Sequence, residues 1–303
     1  MLIRLMDLTS YVIDLARAAG TVDKRCLFAA ATEMRVGAYG EREAAFHFVL
    51  EGDCTLELGR RSFHLSAGDA VLLPTSPAHI VRTAGARRPS VETPGTAFDS
   101  VRSPSGDVHT DIFCGHFTVA SGAGDLLLRS LPDPLIVSFG AADETVRSLA
   151  TLLRAEARAE TAGSTAILNA LCTALLALML RAGGTPAPWT AVTDDRIAAA
   201  LRAVLDDPAA HWTVERLAET ASMSRATFIR HFTRHTATPV ATFVTNLRMM
   251  IAADLLTDPD LTVATVAGRV GYHSESAFTR AFHAATGQTP GRYRRGSVSR
   301  GRP

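Results

Sequence analysis

The sequence predicts an α+β protein: an N-terminal β-barrel, a helical linker or dimerisation segment, and an all-α domain with two helix-turn-helix units. Three observations carry this. Short strand-like runs at roughly ten-residue spacing fill Cys26 to Val119, helical periodicity takes over after Pro134, and two blocks of the last hundred residues repeat each other. The expected divisions are 1–130, 131–190 and 191–303, with helix-turn-helix units at 213–235 and 262–284.

The first twenty residues place Leu8, Val12 and Leu15 on one side of a helix. Beyond Cys26 follow "AFHFVL", "CTLELG", "SFHLSAGD", "AVLLP", "AHIVRT" and "DIFCGHFTV", punctuated by Gly, Asp and Pro, as in an all-β barrel or sandwich. Gly85 to Asp107 reads as an exposed loop. Between Asp143 and Arg181 two helices with a break near Gly163 are expected, capping the barrel or pairing with a second subunit: Val146, Leu149, Leu152 and Leu153 share one face, and Ile167, Leu171, Leu175 and Leu178 another. "AGGTPAPWT", 182–190, reads as a linker, and seven helices are expected from Asp194 onward.

Hydrophobic residues at 47% and charged residues at 20% argue against disorder. The charge is uneven: residues 194–303 hold 14 Arg against 10 Asp and Glu, while residues 1–193 hold 17 Arg and Lys against 20. A mildly basic C-terminal third suits an anionic partner. Cys26, Cys54, Cys114 and Cys172 show no C-x-x-C pair, the N-terminus has no basic n-region, and the longest apolar run spans 15 residues, so a soluble cytoplasmic, nucleoid-associated protein is expected.

The repeat is the sharpest signal. "TVERLAETASMSRATFIRHF" from Thr213 aligns with "TVATVAGRVGYHSESAFTRAF" from Thr262. Each opens on a threonine suited to an N-cap, turns at Ser222 or Gly271, and continues into a second helix with phenylalanines at i and i+4, Phe228 with Phe232 and Phe278 with Phe282. One such pair is a generic α-hairpin; two in register, each carrying an arginine, favour helix-turn-helix units. Their outward faces offer Arg225, Ala226, Ile229, Arg230 and His231 in the first copy and Glu275, Ser276, Thr279 and Arg280 in the second. Arginine pairs with guanine O6 and N7, glutamate accepts from cytosine N4, and alanine or isoleucine packs on a thymine methyl.

Residues 194 to about 295 resemble the DNA-binding domain of the AraC/XylS transcription regulators, most specifically "LRMMIAADLLTDPDLTVATVAGRVGYHSESAFTRAFHAATGQTPGRYRR", 247–295. The resemblance implies two helix-turn-helix units joined by a long helix, 240–256, that enter successive major-groove segments of promoter DNA, with RNA polymerase as a partner. It makes Ala226, Ile229 and Arg230 the first-helix readers and Glu275, Ser276, Thr279 and Arg280 the second. "GDAVLLPTSPAH", Gly68 to His79, resembles the second motif of cupin barrels with Ser76 in place of a glycine, and His47 in "AFHFVLEGD" part of the first.

Metal-binding cupins use three histidines and a glutamate, of which two are recognisable. His47 and His79 with Cys114 and His116 of "CGHF" could complete a tetrahedral site for Zn or another divalent metal. Equally, His47 and His79 are hydrogen-bonded core groups and Cys114 a small apolar filler. Cys54 or Cys114 could sense oxidants, as is suspected of some regulators with this element. The function expected is a sequence-specific DNA-binding regulator, a possible homodimer, whose N-terminal domain senses a small effector, metal or oxidant. The alternative is a metal-dependent cupin enzyme, an oxygenase or isomerase, fused to a DNA-binding domain. No H-E-x-x-H or G-x-S-x-G occurs, and Lys24, the sole lysine, follows no glycine-rich loop.

Overall fold

The computed structural model describes residues 7–85, 88–140, 143–159, 161–182 and 194–298. Beyond Ala182, the expected linker lies outside the described residues. The chain begins with α1 (Leu8–Leu15), capped by the Asp7 carboxylate accepting from the Ser10 N–H at 3.0 Å. It continues as β1 (Ala19–Phe28), β2 (Thr32–Val36), β3 (Glu43–Glu51), β4 (Asp53–Leu58), β5 (Arg61–Ser66), β6 (Asp69–Leu73) and β7 (His79–Arg82). Then come β8 (Arg88–Pro89), β9 (Val91–Thr93), β10 (Asp99–Arg102), β11 (Thr110–Thr118), α2 (Ala123–Ser130) and β12 (Leu135–Ser138).

The strands form a seven-stranded sheet in the order β12-β6-β3-β11-β1-β10-β9 and a five-stranded sheet in the order β5-β4-β7-β2-β8. Of the barrel or sandwich that the strand pattern predicts, the described residues form the two-sheet arrangement, each sheet keeping its own two edges. Among the described residues no ladder joins the edge strands of one sheet to those of the other, and closure requires one. Phe28, Met34, Val49, Leu56, Leu65, Val71, Val81 and Ile112 form one buried cluster drawn from both sheets. Gly85 to Asp107 is not simply a loop: β10 pairs in parallel with β1, Cys26 facing Val101, and Val101 is fully buried. That pairing is between segments some 75 residues apart, so a three- or four-residue run showed no periodicity to announce it.

Two helices follow, α3 (Glu144–Ala159) and α4 (Ser164–Ala182), broken at Gly163 as the periodicity predicts. Arg154 ties α3 to the sheet, its Nε 2.9 Å from the Asp111 carboxylate that also accepts from Arg25. α4 packs along β1, burying Leu168, Cys172, Leu175 and Met179, and Gly20 lies so close that a Cβ there would stand 2.5 Å from the Cys172 side chain. By length and composition alone α4 could cross a membrane; one face of it is covered by β1.

The helical part comprises α5 (Asp195–Asp206), α6 (Val214–Thr220), α7 (Arg225–Thr236), α8 (Val240–Leu255), α9 (Val263–Arg269), α10 (Glu275–Thr286) and α11 (Pro290–Val298). The chain divides into two compact units. One holds residues 19–118 and 132–184; the other holds 185–303 together with 1–18 and 119–131. Within this second unit α1 and α2 pack on α8, and Arg17 meets Asp254 at 3.4 Å. The Tyr293 hydroxyl donates to the Ser121 carbonyl, and Gly122 leaves room for Tyr293, whose hydroxyl a Cβ would meet at 2.6 Å and whose ring at 2.7 Å.

Candidate nucleic-acid interface and sandwich centre

The two helix-turn-helix units are built by the same local chemistry. Thr213 caps α6 and Thr262 caps α9, each side-chain oxygen accepting from the N–H three residues on; Ser224 and Ser274 do the same for α7 and α10. The turns match in hydrogen bonding as well. The Ser222 N–H donates to the Glu219 carbonyl and the Met223 N–H to Ala218, while Gly271 donates to Gly268 and Tyr272 to Ala267. Both turns need a left-handed residue, φ +52° at Ser222 and +81° at Gly271. At Gly271 the need is double, because a Cβ would stand 2.9 Å from both the Ala209 carbonyl and the Arg248 guanidinium. That guanidinium donates to the carbonyls of Pro208 and Ala210 at 2.8 and 2.7 Å, fastening α8 to the segment before α6.

The phenylalanines face inward as their spacing predicts. Phe228 and Phe232 have ring centroids 5.6 Å apart, with Phe243 of α8 edge-on at 5.3 Å; Phe278 and Phe282 repeat the 5.6 Å distance, with Tyr293 of α11 at 5.4 Å. All four phenylalanines are fully buried, and truncating one to alanine costs about 3–5 kcal/mol. Thr236 and Thr286 close the two helices identically, each hydroxyl donating to the phenylalanine carbonyl one turn back.

With those rings inside, the two helices present the same face. Position by position from Arg225 and from Glu275, α7 and α10 have the same sequence of exposed, intermediate and buried residues over twelve positions. Arg225, Ala226 and Arg230 are exposed and Ile229 half-buried; Glu275, Ser276 and Arg280 are exposed and Thr279 half-buried. Ser276 Oγ lies 3.4 Å from Ser274 Oγ, and two longer outward side chains also hold partners. Arg225 Nε stands 2.7 Å from Glu215, and His231 Nδ1 stands 3.1 Å from the Asp194 carboxylate that caps α5. Arg196, beside Asp194, holds that carboxyl well below the usual range. Glu215, Arg248 and the αL geometry of Ser222 had no distinct signature in the sequence; the caps did.

The other cluster lies in the sandwich. His79 Nδ1 is 2.7 Å from the Pro77 carbonyl, which can only accept, so this nitrogen carries the hydrogen. Burial holds both His79 and His47 below the ordinary histidine pKa, hence neutral. His79 Nε2 is then an acceptor, and His47 Nε2, 2.7 Å away, donates to it. His47 Nδ1 is left to accept, and the Cys114 thiol, 3.0 Å away, donates to it. The result is a directed chain from Cys114 through His47 and His79 to Pro77.

His116 does not join it. It lies two residues, about 7 Å, further along β11, with Nδ1 2.8 Å from Asp23, whose other partner is the Tyr39 hydroxyl at 2.7 Å. Hydrogen bonding to Asp23 raises the His116 pKa. The four expected metal ligands are thus divided: His47 separates Cys114 from His79, and His116 is held elsewhere. Among the described residues no group of three or more His, Cys, Asp or Glu side chains is disposed to hold a metal ion. Cys54 enters the core from β4, and burial pushes its thiol up to about 12 and that of Cys114 up as well. Both are therefore held as thiols, the less reactive form.

Residues 7–183 match the Cupin family and residues 217–296 the Helix-turn-helix domain family. An uncharacterised HTH-type transcriptional regulator of Haemophilus influenzae is 31% identical over 302 residues, 97% of this chain and 100% of that one. The RCS-specific HTH-type transcriptional activator RclR of Escherichia coli is 30% identical, over 95% of this chain and 97% of its own. The solved DNA-binding domain of AdpA in complex with a target DNA is 32% identical over 35% of this chain and 96% of that one, with a TM-score of 0.34.

Proposed function

The chain belongs to the AraC-type helix-turn-helix transcriptional regulators that carry a cupin domain, and we propose that it reads promoter sequence with α7 and α10 under the control of an effector sensed in the sandwich. The observation that carries this is the identical presentation of the two helices, each with a buried phenylalanine pair and an exposed arginine, Arg230 or Arg280. A helix held so can enter the major groove by its N-terminal half. Arg230 and Arg280 then address guanine, Glu275 cytosine N4, Ser276 and Thr279 either base of a pair, and Ala226 and Ile229 a thymine methyl. Arg225, taken from Glu215, supplies a phosphate contact. The exposed Leu152 of α3 and Ile167 of α4 fit a homodimer face, α4 carrying no charge between Ser164 and Leu180. RNA polymerase is the partner that transcription control requires, and the cytoplasm its place.

Selection of bound sequences from a random duplex pool with the full chain, at stated salt because affinity depends on it, tests the reading. Enrichment of a two-part motif with elements about 10 bp apart is expected. No enrichment, or a single element unchanged by Arg280→Ala, would reduce at least one helix to a packing element.

A further inference from the structure

Three sulfurs meet in the core of the sandwich. Cys26 Sγ of β1 lies 3.5 Å from Cys114 Sγ of β11 and 3.5 Å from Met34 Sδ of β2. All three residues are almost fully buried, at 0%, 3% and 2% exposure, and share one aliphatic cluster with Leu56, Val81 and Ile112. Cys26 and Met34 alone are ordinary core filling. Cys114 is more than that, because its thiol proton is already directed at an imidazole nitrogen, His47 Nδ1.

We propose that Cys26, Cys114 and Met34 form a three-sulfur site for a soft monovalent cation, Cu(I). Two thiols and a thioether, with no carboxylate among them, select Cu(I) and reject Mg²⁺ and Ca²⁺; a tetrahedral Zn²⁺ would gain nothing from the thioether. At a metal–sulfur distance of about 2.3 Å, three sulfurs around one ion stand about 4 Å apart, so the present contacts widen by only about half an ångström. The balance is simple. Two S–H bonds break, two Cu–S bonds form from the thiolates and one from the thioether, copper stays Cu(I), and two protons leave. Both protons pass to solvent.

Copper sensing would deepen the effector-sensing role proposed above and rests on it for a consequence at DNA. The test contains no DNA, so its failure leaves the promoter-binding reading standing. The reduced full chain is titrated with Cu(I) without oxygen, in competition with the chelator bathocuproine disulfonate. One ion per chain and a thiolate-to-copper charge-transfer band are expected. Cys26→Ala and Cys114→Ala should abolish both, and Met34→Leu, which conserves volume and hence the fold, should weaken binding at least about tenfold. Cys54→Ala and Cys172→Ala should bind as the parent does, and circular dichroism checks that each variant is folded. Binding that survives Cys26→Ala, indifference to Met34→Leu, equal affinity for Zn²⁺, or thiols lost to a disulfide with no copper retained would each overturn the site.

Discussion

At the residue scale, the two arginines are the sharpest candidates. Arg280→Ala should lower discrimination by about 1–3 kcal/mol at one base pair, read by competition among single-base variants of the selected site. Weakening that is uniform across all sequences would make Arg280 a phosphate contact instead. His47 and His79 carry a second prediction, on stability. Burial depresses both pKa values in the folded chain, so their contribution is complete above the unfolded value of about 6.5 and is lost as pH falls below it. Each depressed unit is worth about 1.36 kcal/mol. Urea unfolding at pH 7 and pH 5 should therefore show the sandwich weaker at pH 5, and His79→Gln should flatten the dependence. His116 works oppositely: Asp23 raises its pKa, so its contribution is present at low pH and lost as pH rises through the folded value. His47, His79 and Cys114 were legible in the sequence as chemistry-bearing residues. Cys26 and Met34 were not, because they are eight residues apart on strands of different sheets and ordinary core types.

At the element scale, the two turns make a natural pair of opposite experiments. Ser222 holds φ +52° at the cost that a left-handed residue carries, so Ser222→Gly should stabilise by about 1 kcal/mol. Gly271→Ala should destabilise by at least about 1–2 kcal/mol, since the strain of the same region is joined by contact with Ala209 and Arg248. Thermal unfolding of the two variants reads both signs; a destabilising Ser222→Gly would mean that its side chain contributes more than its strain costs. Replacing a cap, Ser224→Ala or Ser274→Ala, should cost about 1 kcal/mol, and should loosen the first turn of the helix proposed to read bases. These elements were legible because their signals are local: a hydroxyl before a helical stripe, and rings at i and i+4. β8, β9 and β10 were not, since β8 pairs with β2 and β10 with β1, far away in the sequence, and β9 pairs with β10 alone among the described strands.

At the scale of the whole molecule, α1 and α2 belong with the C-terminal helices, with Tyr11, Val12, Leu126 and Leu127 buried there. A fragment of residues 190–303 lacks them and uncovers part of α8. It should melt below the full chain's helical transition, by several degrees for each kcal/mol lost in a domain of this size, and adding back 1–18 and 119–131 in a single chain should restore it. An unchanged melting temperature would make α1 and α2 passengers on α8. By itself the sequence determined the duplicated helix pairs, their caps, their inward rings and outward arginines, because each is a relation between residues within one turn or two of helix. Only the tertiary structure decided that the strands stay two open sheets, that α1 and α2 pack on α8, and that three sulfurs and two histidines meet inside the sandwich. Most of those contacts join segments tens to hundreds of residues apart, chosen by packing and pairing that no local pattern encodes.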